Sequence, residues 1–250
     1  MLDRKNQKLH ILAIAAHPDD VELGCSGVLM KHTQKGQLVG VVDLTEGELG
    51  TRGTVETRYQ EANDAAKIMG LHVRENAQLR DGFFKNDESS VLKIIHYIRK
   101  WQPEIVITNA PEDRHPDHGK GCKLVTDACF LAGLSKIKTF NEHNELQLPW
   151  RPKRVFSMIQ DRTLEPDFIV DISDVMENKI ASILAYKTQF FNPDAEEPNT
   201  YISTSNFIEQ IKYRDAINGK RIGKKFGEGL ISVNILGISD LDYLVYPELA

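Results

Sequence analysis

An unbroken apolar run, Ile11-Leu12-Ala13-Ile14-Ala15-Ala16, is the first legible pattern in the chain. Apolar residues without alternation read as a short strand covered on both faces. Further runs of strand type lie at residues 37–44, 71–79, 105–109, 155–160 and 167–172. Between them, apolar residues recur at helical spacing. Residues 24–35 predict a helix closed by Gly36. Residues 56–69 predict another, capped by Thr54, closed by Gly70 and turning Ala62, Ala65, Ala66 and Met69 to one face. A third starts at Ser89 or Ser90, ends near Trp101 and directs Val91, Ile94, Ile95 and Ile98 inward. A fourth starts at Asp117 or His118 and runs to about Leu131, with Val125, Ala128, Cys129 and Ala132 inside. Helices are also expected at 175–188 and from Ser203 or Ser205 through Ile217, with a loop over 189–200. Residues 221–250 are glycine-spaced and harder to read. Strands alternating with helices predict an α/β, Rossmann-like fold: a mostly parallel sheet flanked by helices on both faces.

Composition narrows the class. No linker, repeat or low-complexity stretch divides the 250 residues, so residues 1–250 are expected to form a single domain. Apolar content of 41% and charged content of 27% are ordinary for a soluble globular protein. A net charge of −5 gives no basic excess for nucleic acid or an anionic membrane. The cysteines, Cys25, Cys122 and Cys129, are odd in number and lack a Cys-x-x-Cys pair, so they read as buried thiols in a reducing compartment. The run at 11–16 is too short for a signal core, and no stretch reaches the ~20 apolar residues of a membrane helix. A cytoplasmic protein is expected. No Gly-x-Gly-x-x-Gly follows the first strand, which disfavours a dinucleotide site.

Chemistry collects just past two strands. His17-Pro18-Asp19-Asp20 follows the first, at the end where open α/β sheets bind ligands. Asp113-Arg114-His115-Pro116-Asp117-His118 follows the strand at 105–109. Histidine nitrogen and aspartate oxygen suit zinc and similar ions. His17-x-x-Asp20 alone is too short to close a metal site, so the pair of clusters points to a shared one. Which aspartate binds metal and which acts as a base stays open on sequence alone. The loop at 45–54, with Gly47, Gly50 and Gly53, leaves the second strand and is expected to face the same crevice. Arg58 lies in the first turn of its helix, where the helix dipole disfavours a cation, so a role other than helix stability is expected. His10, His32, His72, His96 and His143 lack acidic or cysteine companions at ligand spacing and read as structural or solvated.

The stretch AHPDDVELG, followed about a hundred residues later by RHPDH, resembles the LmbE/PIG-L superfamily of zinc-dependent N-acetylglucosaminide deacetylases. Asp43 to Glu48, Gly53-Thr54 with Arg58, Glu112 to His118, and Tyr201 extend the resemblance over nearly the whole chain. The chain looks most like the bacillithiol-biosynthesis branch, which deacetylates N-acetylglucosaminyl-malate. The resemblance implies one Zn²⁺ per chain, held by His17, Asp20 and His118. It implies Asp19 as base and later acid, and His115 as donor to the oxyanion. Asp117 is expected to hydrogen-bond His115 and keep it charged, with a helix N-cap as the alternative. Arg58 and Arg114 are implied to take a malate carboxylate, and Tyr201 to line the pocket, with a partly buried aromatic as the alternative. Asp43 and Glu46 are weaker candidates for sugar hydroxyls. The implied partner is a small N-acetylglucosamine conjugate, and the implied assembly is a homo-oligomer, a hexamer. Chitin-derived oligosaccharides form a second substrate reading with the same metal site. A non-catalytic metal- or sugar-binding protein is the rival from another class, and it has no need of the second carboxylate at Asp19. A two-metal phosphatase is disfavoured because it needs more ligands than the sequence offers.

Overall fold

The computed structural model describes residues 8–191 and 196–245. Its strands are β1 (Ile11–Ala15), β2 (Val39–Thr45), β3 (Val73–Leu79), β4 (Ile105–Thr108), β5 (Arg154–Met158), β6 (Phe168–Asp171) and β7 (Gly227–Ser232). They form one 7-stranded sheet in the order β3-β2-β1-β4-β5-β7-β6. Pairs β1–β2, β2–β3, β1–β4 and β4–β5 are parallel, and β7 runs antiparallel to both neighbours. The winding direction reverses at β1. The crevice beyond the carboxyl ends of β1 and β4 is therefore the switch point of the sheet, where ligands bind in such folds.

Strand periodicity explains why β1 has no polar position. Ile11, Ala13 and Ala15 enter one core, and Leu12 and Ile14 enter the other. On the first face pack α1 (Asp20–Gly24), α2 (Ser26–Thr33) and α6 (Met176–Leu184), through Val21, Leu29 and Met176. On the second pack α4 (Glu88–Trp101) and α5 (Pro116–Leu131), through Ile94, Ile98, Val125 and Ala128. A third cluster joins α3 (Val55–Met69), α6 and α7 (Phe207–Arg221) through Ala65, Ile183, Phe190 and Phe207. Each buried Leu, Ile or Phe contributes about 1.5–3 kcal/mol. The mostly parallel α/β sheet is the architecture expected from the alternating pattern.

The helix expected at 175–188 ends at Leu184, and two further stretches differ from expectation. The helix expected at 24–35 starts earlier, at Asp20, and breaks at Cys25 into α1 and α2. The break frees the amide groups at the start of α2, and Glu228 of β7 caps them. Its carboxylate accepts from Gly27 N–H (3.0 Å) and Val28 N–H (2.6 Å). Residues 221–250, glycine-spaced and hard to read from sequence, contain β7, inserted between β5 and β6. Its sequence Gly-Glu-Gly-Leu-Ile-Ser has too few side chains to display alternation. The loop expected at 189–200 runs partly outside the described residues.

Candidate active site

The turn after β1 separates the neighbouring carboxylates. Asp19 has φ 114°, in the left-handed half of the map, which costs a non-glycine residue roughly 1–3 kcal/mol. Hydrogen bonds hold it there: His17 N–H donates to Asp20 Oδ2 (2.9 Å) and Ala16 N–H to Asn109 Oδ1 (2.8 Å). Asp20 consequently faces the histidines and Asp19 faces Arg58.

Asp20 is 3% exposed and fully engaged. Asn109 Nδ2 donates to Oδ2 and Gln160 Nε2 to Oδ1, both at 2.9 Å. His118 Nε2 lies 3.1 Å from Oδ1 and His17 Nδ1 3.5 Å from Oδ2. Burial alone would raise the pKa of Asp20, but His118 and His17 hold it well below the usual carboxylate range. Each of these imidazoles has a further carboxylate behind it. Asp81 Oδ1 is 3.0 Å from His17 Nε2, and Asp113 Oδ2 is 2.5 Å from His118 Nδ1. Burial lowers the His118 pKa, yet Asp20 and Asp113 together push it up to about 9. The same opposition leaves His17 well above the usual imidazole value, through Asp117, Asp20 and Asp81.

The donor chemistry fits a zinc-type ion. Nitrogen and carboxylate oxygen converge, and each imidazole is steered by an acid on its other nitrogen, as metal-ligating histidines are. His17 and His118 have ring centroids 5.7 Å apart. His17, His115 and His118 offer ring nitrogens within 4.8 Å of one another, so His115 borders the same space.

Asp19 is 5% exposed, with Arg58 Nη2 at 3.6 Å from Oδ2. Burial raises its pKa, Arg58 pulls it back, and the balance stands at about 7. A carboxyl group titrating there can take a proton and return it near neutral pH.

Several expected roles are revised by the geometry. The Asp117 carboxylate does not reach His115. It accepts from Gly82 N–H (2.7 Å) and Lys120 Nζ (2.9 Å) and lies 3.6 Å from His17 Nε2. Instead His115 is the N-cap of α5, its Nδ1 accepting the Asp117 N–H at 3.3 Å. Burial, then the neighbouring His17 and His118, lower the His115 pKa. Arg58 is no free anion clamp: it is buried, donates to Gln189 Oε1 (2.5 Å) and Gly47 O (3.4 Å), and faces Asp19. That explains a cation in the first turn of α3. Gly47, at φ 65°, is required, since a Cβ there would sit 1.8 Å from Arg58 Nη1. Asp43 is occupied by a bidentate Arg74 (2.8 and 2.9 Å), and Glu46 accepts from Gln78 Nε2 at 3.4 Å.

Arg114 stands at the mouth, donating from Nε to Asp161 Oδ2 (3.1 Å), with its guanidinium 4.2 Å from the Tyr201 ring centroid. Tyr201 is half exposed, on the short turn Tyr201–Ser203. The cavity holds about 350 Å³. His17, Asp19, Asp20, His115 and His118 form its polar end, and Leu23, Ile202, Phe207 and Ile211 its apolar wall. Asp81, Asp113, Asn109 and Gln160 were given no role on sequence grounds. A signal existed for the amides, as each is the polar residue that ends a strand-type run, 105–109 or 155–160.

Fold and site together define a doubly wound α/β protein with a buried His/Asp metal-competent cluster at its switch point. A family model described as PIG-L, GlcNAc-PI de-N-acetylase, matches residues 12–129, which include both histidine clusters. The chain belongs to this PIG-L/LmbE family. It is 29% identical to the diacetylchitobiose deacetylase of Thermococcus kodakarensis, over 90% of this chain and 83% of that one. It is 28% identical to a probable N-acetyl-alpha-D-glucosaminyl L-malate deacetylase 2 of Bacillus subtilis, over 73% and 84%. It is 25% identical to a 4-oxalmesaconate hydratase of Pseudomonas putida, over 69% and 70%. Among solved structures it resembles a conserved protein of Thermus thermophilus, with TM-score 0.81, 31% identity, and coverage of 92% and 98%.

Proposed function

We propose that this chain is a zinc-dependent N-deacetylase that hydrolyses the acetamide of an N-acetylglucosamine conjugate, releasing acetate and a free amine. The observation that carries this reading is the buried Asp19 carboxyl beside the His17–Asp20–His118 cluster. Its neighbour Asp20 already completes the donor set, so a merely metal-binding protein has no use for Asp19. One Zn²⁺ per chain would be held by His17 Nδ1, Asp20 and His118 Nε2. When bound, the ion supplies Lewis acidity to the acetamide carbonyl and to water.

The chain's own groups supply the proton chemistry. Asp19 takes a proton from the attacking water while Arg58 fixes its carboxylate. His115 donates from Nε2 to the oxygen that gains charge, its Nδ1 being engaged by the α5 backbone. As the C–N bond breaks, Asp19 returns the proton to the leaving nitrogen. The names of the Thermococcus and Bacillus relatives support this chemistry. The Pseudomonas relative is named a hydratase instead, so acetate release is the decisive readout.

The mouth favours a neutral sugar as the aglycone. Of the arginines expected to take malate, Arg58 is turned to Asp19 and Arg114 is paired with Asp161. Ile202, Phe207 and Ile211 offer an apolar wall suited to a pyranose face. N-acetylglucosaminyl-malate, on the route to bacillithiol, is the second reading, supported by Arg114, which uses only Nε on Asp161. Acetate release from N,N′-diacetylchitobiose and from N-acetylglucosaminyl-malate, each with and without chelator, tests the proposal. Faster chelator-sensitive release from the disaccharide supports the neutral aglycone. A malate preference lost in Arg114→Ala supports the second reading. Release from neither substrate contradicts the deacetylase reading.

A further inference from the structure

The turn after β3 makes contacts that neither histidine motif accounts for. Along β2 and β3 the register runs Asp43↔Asn76 and then Thr45↔Leu79, so β3 carries an extra residue in a bulge. Gln78, at φ 51°, lies in that bulge, and its N–H is held by Asn76 Oδ1 at 2.7 Å. A bulge redirects the chain beyond it, and this one brings Asp81 into the crevice. Its Oδ1 lies 3.0 Å from His17 Nε2, and its Oδ2 accepts the Leu49 N–H at 3.1 Å. Its own N–H donates to Glu48 Oε1 at 2.8 Å. Asp81 and His17 are 6% and 8% exposed, so these contacts are shielded from water.

We infer that Asp81 is a positioning residue that orients His17 with Nε2 held on its carboxylate and Nδ1 turned to the space beside Asp20, and ties the pocket-lining Leu49 segment to that ligand. This rests on the reading of His17 as a metal ligand. An acid behind a ligating imidazole fixes its tautomer and raises its basicity. The Leu49 N–H holds the second carboxylate oxygen, so Asp81 cannot turn away from His17 without freeing the loop. A cation held by His17, Asp81 and Asp117 themselves is disfavoured, because Asp117 already accepts from the Lys120 ammonium and the Gly82 amide.

The test is a Zn²⁺ titration of the full chain, stripped of metal, against a chromophoric chelator. The expected stoichiometry is one ion per chain in the wild type, Asp81→Ala and Asp81→Asn. Asp81→Ala should bind Zn²⁺ about 10- to 100-fold more weakly, the range for loss of such a partner. Asp81→Asn should lie between, since an amide oxygen still accepts from Nε2–H; it carries the comparison alone should the alanine variant not fold. Nitrogen-15 spectra of the zinc-loaded chain should place the His17 proton on Nε2, and that signal should mix or broaden in Asp81→Ala. Wild-type affinity and an unchanged His17 signature in both variants would overturn the inference. So would two ions per wild-type chain with one lost in Asp81→Ala, which would make Asp81 a ligand. A wild-type chain that binds no Zn²⁺ would overturn the metal reading itself, a result distinct from either.

Discussion

Asp19 and Asp20 are adjacent and identical in type, yet the turn gives them opposite surroundings. Asp20 sits among imidazoles and amides, and Asp19 faces a single guanidinium. The left-handed backbone at Asp19 is what swings the side chains apart. Asparagine tolerates that conformation better than most residues, so Asp19→Asn should fold and load metal normally. Its acetate release should fall by about 10²- to 10⁴-fold, the usual contribution of a general base. Retained Zn²⁺ affinity with retained rate would remove Asp19 from the chemistry. The proposed ligands should compete with protons. In the metal-free chain the His118 pKa is raised from 6.5 to about 9, with burial opposing and Asp20 and Asp113 prevailing. The stability that pairing gives the metal-free chain is complete below 6.5 and lost as pH rises through about 9. Zn²⁺ must displace the proton, so its affinity should climb across the same window and level off above it. Titrations at stepped pH that gave a flat affinity would contradict the pairing. The histidines were legible because each stood with acids beyond a buried strand. Asp81 was not, because Asp-Gly after β3 reads as an ordinary turn and its partner His17 lies 64 residues away.

Helices α2, α6 and α7 meet β7 around a buried charge cluster. Lys179 Nζ lies 2.7 Å from Asp215 and 2.6 Å from Glu228, and all three side chains are essentially inaccessible. Removing Lys179 leaves Asp215 with Arg214 Nε (3.0 Å) and Glu228 with the Gly27 and Val28 amides as their remaining partners, so Lys179→Met should destabilise the chain by about 3–5 kcal/mol in denaturant unfolding. A change under about 1 kcal/mol would mean the cluster is hydrated or protonated. Gly219 marks the crossing of α7 over the same strand. A Cβ there would meet Phe226 N at 2.6 Å and Lys225 C at 2.7 Å, backbone atoms that cannot turn aside. Gly219→Ala should therefore destabilise by about 1–3 kcal/mol, although alanine gains up to about 1 kcal/mol in a free helix. The inward faces of α3, α4 and α5 were legible from their 3.6-residue spacing, because side chains report that period directly. β7 was not, since a strand with two glycines in six residues has no pattern to report and is specified by the residues that pack on it.

At the scale of the whole molecule, the sheet does what sequence distance cannot. Pairing of β1 with β4 brings His17 beside His115 and His118, about a hundred residues on. The alternation of runs and helices was enough to expect that sheet, and the two His-Pro-Asp motifs enough to expect a shared site. What lay beyond the sequence was the crevice wall, which depends on where the Gln189 and Phe207 segments return. Among the described residues, no helix is long and apolar enough to cross a membrane. Because the site joins two distant loops, metal should stabilise the entire fold. Zn²⁺ at a hundred times its Kd should add about 2.7 kcal/mol and raise Tm, and His118→Ala should abolish that rise. A melting temperature indifferent to Zn²⁺ and chelator would separate the histidines from any metal.

The most direct measurement is acetate release from N,N′-diacetylchitobiose by the full chain, first stripped of metal and then given one equivalent of Zn²⁺. The stripped chain should be inert, the reloaded chain active, and reloaded Asp19→Asn nearly silent. Acetate release that persists without metal, or that is equal in the Asp19→Asn chain, would contradict the claim that a carboxylate beside this His/Asp cluster drives the hydrolysis.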